Sequence, residues 1–143
     1  MIIRNMVEKD LPRLSELYEQ FWNEKTDIAI LKSQFQKLKN NDTHILLSAV
    51  ENDNLTGSVM GVVCEELYGE CKPFLVIENM IVDKNCRRAG VGKALLAELE
   101  NQAREKGCTQ IILVTEKDRK DACCFYESAG FESDRNTGYK KKI

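Results

Sequence analysis

Between Arg87 and Lys93 the chain reads Arg87-Arg88-Ala89-Gly90-Val91-Gly92-Lys93, and these residue types, in this spacing, suit the binding of an anion. Glycine at 90 and 92 lets the backbone turn tightly and approach a ligand closely. A helical pattern starts at once, adding its unpaired N–H groups and the positive end of its dipole. No Ser, Thr, Asp or Asn occurs from 87 to 93, so no side-chain oxygen is supplied there to cap that helix. A phosphate would serve instead, and Arg87, Arg88 and Lys93 add positive charge. The bland alternative is a glycine-rich helix start with a solvated basic turn. Two familiar phosphate loops do not fit. The dinucleotide pattern G-x-G-x-x-G needs Gly or Ala where Leu95 stands, and the P-loop needs Gly at Arg87 and Ser or Thr at Ala94.

Other chemistries find less support. Cys64, Cys71, Cys86, Cys108, Cys123 and Cys124 include no C-x-x-C pair, and the single histidine, His44, completes no local Cys/His cluster. Reduced, mostly buried thiols are expected, with no metal. A catalytic cysteine would want a basic partner that no local pattern provides. A formal charge of −2 gives no long-range attraction to nucleic acid. Lys140-Lys141-Lys142 is a short tail rather than a patch with interleaved aromatics. No apolar run approaches a membrane span and Met1-Ile2-Ile3-Arg4 lacks a signal-peptide pattern, so a cytoplasmic protein without membrane contact is expected.

The elements that must position the loop are legible from periodicity. The 143 residues, 43% hydrophobic and 31% charged, suit one ordered domain spanning 1–143 with one core. Ile2 to Met6 reads as a strand. Asp10 can cap a helix with Pro12 in its first turn and a stripe of Leu14, Leu17, Tyr18 and Phe21. A second helix is expected from about Asp27 to Lys39. His44–Val50 and Thr56–Cys64 form a hairpin around Asn52-Asp53-Asn54, and Phe74–Val82 is a third core strand. Val91, Leu95, Leu99 and Ala103 mark a helix stopped by Gly107. Ile111–Val114 is an apolar strand, Asp121–Ala129 a short helix, and Phe131 with Tyr139 a closing hairpin. The expectation is a mixed α/β fold.

Arg87-x-x-Gly90-x-Gly92, after a strand and before an amphipathic helix, resembles the acyl-CoA loop of the GNAT superfamily of N-acyltransferases. Ala122-Cys123-Cys124-Phe125-Tyr126-Glu127-Ser128-Ala129-Gly130-Phe131 resembles that family's A-x-x-F-Y-E-x-x-G-F segment, and Ile3-Arg4 with Asp10-Leu11 resembles its opening. The resemblance covers essentially the whole chain in order. It implies a GNAT-like single domain, with a mixed central sheet of six to seven strands flanked by about four helices. It implies acetyl-CoA as co-substrate, with the backbone of Met80, Ile81 and Val82 pairing with the pantetheine arm. The pyrophosphate would lie on Arg87, Arg88, Ala89, Gly90, Val91, Gly92 and Lys93. Tyr126 matches the position that in many members protonates the departing thiolate, a plausible task for a hydroxyl of pKa about 10. Its alternative role is a core aromatic. Glu78 matches a carboxylate that takes the amine proton; apolar neighbours Val76, Ile77, Met80 and Ile81 would raise its pKa, and the alternative is a carboxylate on the exposed side of that strand. Seven residues before Tyr126, where many members carry Asn, this chain has Arg119, which could contact a pantetheine oxygen or a phosphate.

The resemblance thus implies transfer of an acetyl group to a primary amine, of a small molecule or a protein, by direct attack on the thioester. Backbone N–H groups near Ile81 would stabilise the oxyanion, and Glu78 or a water would be the base. The acidic run Glu65-Glu66-Leu67-Tyr68-Gly69-Glu70 would favour a cationic amine if it faces the acceptor; as a solvated loop it says nothing. A homodimer is left open. The rival from another class is a non-catalytic acyl-CoA-binding regulator, which would keep the 87–93 loop without needing Tyr126 or a base.

Overall fold

In the computed structural model, which describes residues 1–143, the alternation and periodicity of the sequence resolve into nine regular elements joined by short turns. Strand β1 (Ile2–Asn5) leads through one 3-10 turn into α1 (Leu11–Trp22) and α2 (Ile28–Leu38). Strands β2 (His44–Glu51), β3 (Asn54–Cys64) and β4 (Phe74–Val82) follow, then α3 (Val91–Glu105), β5 (Ile111–Ile112) and α4 (Lys120–Ser128). The chain divides into two compact units, Met1–Ile112 and Leu113–Ile143.

The first unit holds a five-stranded sheet in the order β1-β2-β3-β4-β5, antiparallel except for the parallel β4–β5 pair. Asn52 and Asp53 both take positive φ, 48° and 61°, in the two-residue turn that matches the twist of β2 and β3. Ser58 lies opposite Ile81, so Gly57 projects to the other face of the sheet. On the Ile81 face, Leu11, Leu14 and Leu17 of α1 and Phe35 of α2 gather with Val50, Leu55 and Ile81. On the Gly57 face lies α3. A Cβ at Gly57 would sit 2.9 Å from the Ile81 carbonyl oxygen and 3.0 Å from Val91, and one at Gly61 would sit 2.7 Å from Leu99. These two glycines set how closely α3 lies on the sheet, and with it the position of its first turn.

Asp10 does something other than cap α1. Its side chain makes no cap bond to that helix. It is buried, accepts two hydrogen bonds from Arg4 (2.7 and 2.8 Å), one from the Val7 N–H (3.0 Å) and one from the Ser48 hydroxyl (2.9 Å). Burial would raise the Asp10 carboxyl; these donors, Arg4 foremost, outweigh it and hold the carboxyl below its ordinary value. Arg4 and Asp10 therefore tie β1 to the start of α1.

The expectation of six to seven strands is corrected to five. The expected strand Ile111–Val114 is regular only at Ile111 and Ile112. The expected hairpin around Phe131 and Tyr139 does not form, and 132–143 contain no regular element. The physical reason is in the residues: Glu132 to Thr137 are all polar, so no alternating apolar face exists to bury such a strand.

In the second unit, α4 ends in a complete Schellman motif. The Phe131 N–H donates to the Tyr126 carbonyl (3.1 Å), the Gly130 N–H donates to Glu127 (3.0 Å), and Gly130 takes φ 92°. The Phe131 ring meets Tyr126 edge-on at 5.7 Å, the apolar contact that accompanies this motif.

Candidate active site

The loop after β4 is held at its root by a buried carboxylate. Asp83 pairs with Arg13 of α1, accepts from the Asn85 N–H at 2.9 Å and donates its own N–H to the Thr56 carbonyl at 2.8 Å. Beyond it Arg87 is extended, Arg88 takes φ 62° and Gly90 takes φ 82°. A left-handed Arg88 is uncommon for a residue with a Cβ, and such departures gather where backbone N–H groups are turned toward a ligand. Gly90 is the N-cap of α3, and no side chain caps that end. A Cβ at Gly90 would meet nothing, so glycine is required there by conformation. Gly92 lies in the first helical turn and has no positive φ, so backbone conformation does not demand glycine there. Arg87, Arg88, Ala89, Gly90 and Lys93 are exposed, whereas Val91 is buried and anchors the helix start.

The end of β4 is irregular in a useful way. Ser58 faces Ile81 and Met60 faces Glu78, so β4 uses one residue more than β3 over this stretch. The extra residue is a bulge, and Asn79 within it has φ 51°. On the other side β5 pairs with β4 only at Leu75 and Val76. From Ile77 to Val82, including Met80 and Ile81, no strand runs beside β4 on that side. Glu78 is exposed rather than surrounded by its apolar neighbours. Next to the bulge, Tyr18, Trp22, Glu24, Thr26 and Asn79 line an open cleft of about 280 Å³.

In the second unit, Arg119 immediately precedes α4 and accepts the Cys123 N–H at 3.0 Å through its carbonyl. Tyr126 is partly buried in that helix between Phe125 and Phe131, at ring distances of 5.2 and 5.7 Å. Burial raises its hydroxyl pKa and the Arg119 cation opposes that rise.

The expected site residues therefore fall in two sets. Glu78, Met80, Ile81 and Val82 on β4 lead directly into Arg87–Lys93 in the first unit, whereas Arg119, just before α4, and Tyr126, within it, fall in the second. Sequence reading did not single out the bulge at Asn79, the Arg13–Asp83 pair or the close-packing glycines 57 and 61. The glycines carried a signal, being four apart on one strand face; Arg13 and Asp83, 70 residues apart, carried none. No three His, Cys, Asp or Glu side chains are grouped so as to hold a metal, and all six cysteines are free thiols; contrary to the expectation none is buried, Cys71 and Cys124 being exposed and the other four half-buried.

Residues 11–131 match the model of the Acetyltransferase (GNAT) family, and the chain belongs to that family. The match runs through both units. A Trypanosoma brucei glucosamine 6-phosphate N-acetyltransferase is 40% identical over 57 residues, 40% of this chain and 37% of that protein. The chain covers less than half of two curated relatives, 46% of one and 37% of the other. A solved Agrobacterium tumefaciens protein superposes with a TM-score of 0.92 at 22% identity over 100% of both chains, which shows the fold. A solved aminoglycoside acetyltransferase from an uncultured soil metagenome superposes with a TM-score of 0.82 at 26% identity, over 99% of this chain and 95% of that one. No helix is long and apolar enough to cross a membrane.

Proposed function

We propose that this chain is an N-acetyltransferase that moves an acetyl group from acetyl-CoA to a primary amine. The observation that carries the reading is the start of α3. An uncapped helix N-terminus, a left-handed Gly90 and the exposed cations of Arg87, Arg88 and Lys93 lie together, in a chain of the GNAT family. These features suit a pyrophosphate, whose oxygens would accept the N–H groups that no side chain serves. The stretch of β4 without a neighbouring strand suits an extended amide-bearing arm, which could add to the sheet through Ile81 and Val82.

The co-substrate supplies an activated acyl group as a thioester. The amine nitrogen forms the new bond to the acyl carbon, the carbon–sulfur bond breaks, and no acyl-enzyme forms. Glu78 or a water accepts the amine proton, backbone N–H groups near Ile81 stabilise the oxyanion, and Tyr126 delivers a proton to sulfur. An exposed Glu78 fits relay through a water at least as well as direct abstraction. Arg119 would add a cation for a phosphate or pantetheine oxygen.

Calorimetric titration of acetyl-CoA into wild type and a Gly90→Val/Gly92→Val variant tests the loop: binding to wild type and none to a folded variant is expected. Equal affinity would remove the site from Arg87–Lys93. A thiol-release screen over amines then finds the acceptor. Tight acetyl-CoA binding with turnover of no amine would favour the non-catalytic regulator.

A further inference from the structure

The cleft beside the β4 bulge has a composition that the reaction scheme leaves unused. Trp22 ends α1 and is 45% exposed, although a tryptophan is among the side chains with most to gain from burial. It is fixed rather than loose: its ring meets Tyr18 edge-on at 5.3 Å and Phe21 at 4.7 Å. The chain turns directly after it through a left-handed Asn23, at φ 53°. Glu24, on the same rim, is exposed and takes part in none of the ion pairs of the fold. No Lys or Arg lines this cleft; Lys25 lines a neighbouring one instead. Asn79 lines the cleft as well and is followed in sequence by Met80, Ile81 and Val82.

Resting on the acetyltransferase reading, we propose that this cleft is the acceptor subsite and selects a small amine bearing a second positive charge. The distal ammonium would lie between the Glu24 carboxylate and the Trp22 face, two features that attract a cation by different means. The proximal amine, neutral when it attacks, would reach past Asn79 to the acyl carbon. A volume of about 280 Å³ is at the small end for a ligand site and accommodates a linear diamine. The absence of a basic lining residue disfavours a phosphorylated amino sugar. One nitrogen gains the acetyl group and loses a proton, and the other keeps its charge throughout.

The test compares 1,4-diaminobutane, butylamine and glucosamine 6-phosphate as acceptors, and titrates 1,4-diaminobutane alone into the protein by calorimetry. The diamine should exceed butylamine in kcat/KM by about tenfold, the size expected of one partly exposed cation contact. Glu24→Gln and Trp22→Leu should each remove most of that ratio through KM, weaken direct diamine binding, and leave acetyl-CoA affinity unchanged. Both side chains are exposed, and thermal melts verify that the variants fold. A diamine no better than butylamine, a preference for glucosamine 6-phosphate, or diamine binding indifferent to Glu24→Gln each overturns the subsite. Failure of wild type to bind acetyl-CoA would instead overturn the acetyltransferase reading, and the calorimetric diamine titration still decides the cleft.

Discussion

Tyr126 is the residue on which enzyme and regulator part company. Burial raises its pKa, so the hydroxyl keeps its proton through and beyond the physiological range and is available to donate. Tyr126→Phe preserves the ring that meets Phe125 and Phe131 and removes only the oxygen. Turnover is expected to fall by about 10- to 1000-fold, with acetyl-CoA affinity nearly unchanged. A wild-type rate in the variant, with chemistry rate-limiting, would make Tyr126 a structural tyrosine. The sign of the shift adds a pH prediction. An acid whose pKa is raised stays competent up to that value, so loss of the Tyr126 proton should not depress the rate below about pH 10. The two loop glycines should also separate. Gly90 is left-handed, and Gly90→Ala should cost about 1–2 kcal/mol of stability. Gly92 is helical, and Gly92→Ala should stabilise the fold by up to about 1 kcal/mol while weakening acetyl-CoA binding. Thermal melts beside calorimetry read both effects.

At the scale of elements, the Phe-Tyr-Glu-x-x-Gly-Phe pattern has a mechanical reading. Gly130 reverses the chain, the Phe131 and Gly130 N–H groups satisfy the last carbonyls of α4, and the Phe131 ring returns onto Tyr126. Nothing crowds a Cβ at Gly130, so Gly130→Ala should cost about 1–2 kcal/mol through backbone strain alone, measurable as a lower denaturant midpoint. Gly57→Val acts by the opposite route, since even its Cβ would approach the Ile81 carbonyl, and should cost about 1–3 kcal/mol by forcing α3 off the sheet. These elements also show what sequence could convey. The stripe Val91, Leu95, Leu99, Ala103 was readable because burial on one helix face imposes a period, β2 to β4 because apolar runs flank a turn, and Gly107 and Gly130 because left-handed turns select glycine. The bulge at Asn79 was not readable, because it is defined by register against β3 and leaves no local composition signal. The hairpin expected after Phe131 does not form because its two aromatics stand without an alternating apolar pattern between them. The face of Glu78 stayed open in the sequence because flanking apolar residues say nothing about the side on which a strand residue projects, and the structure places it exposed.

Across the whole molecule, cohesion is unevenly spread. The sheet of the first unit is lined by residues almost wholly buried, such as Leu47, Val59, Leu75 and Leu99, whereas α4 has no fully buried residue. Amides of α4 should therefore exchange with solvent faster than those of β2 and β3. Asp10 supplies an acid-sensitive tie. Its folded pKa lies below the unfolded value of about 3.9, so its contribution is fully present above that value and disappears as pH falls through the folded one. Asp10→Asn should cost about 2–3 kcal/mol at pH 7, below the figure for a wholly buried pair because Arg4 is partly exposed, and progressively less below pH 4. Equal losses at pH 7 and pH 3 would contradict this origin. The parting of β4 from β5 has one more consequence, for how the protein survives in a crowded solution. A strand with one edge open along most of its length is a template on which another extended chain can grow, and proteins usually blunt such templates with charge or cover. Here Glu78 and the kink at Asn79 interrupt it. A co-substrate arm lying along Ile81 and Val82 would complete the protection, so that a reactant doubles as a guard against self-association. Protein held at mild heat with acetyl-CoA should accordingly cluster more slowly, by light scattering, than protein stabilised to the same melting temperature by an unrelated osmolyte.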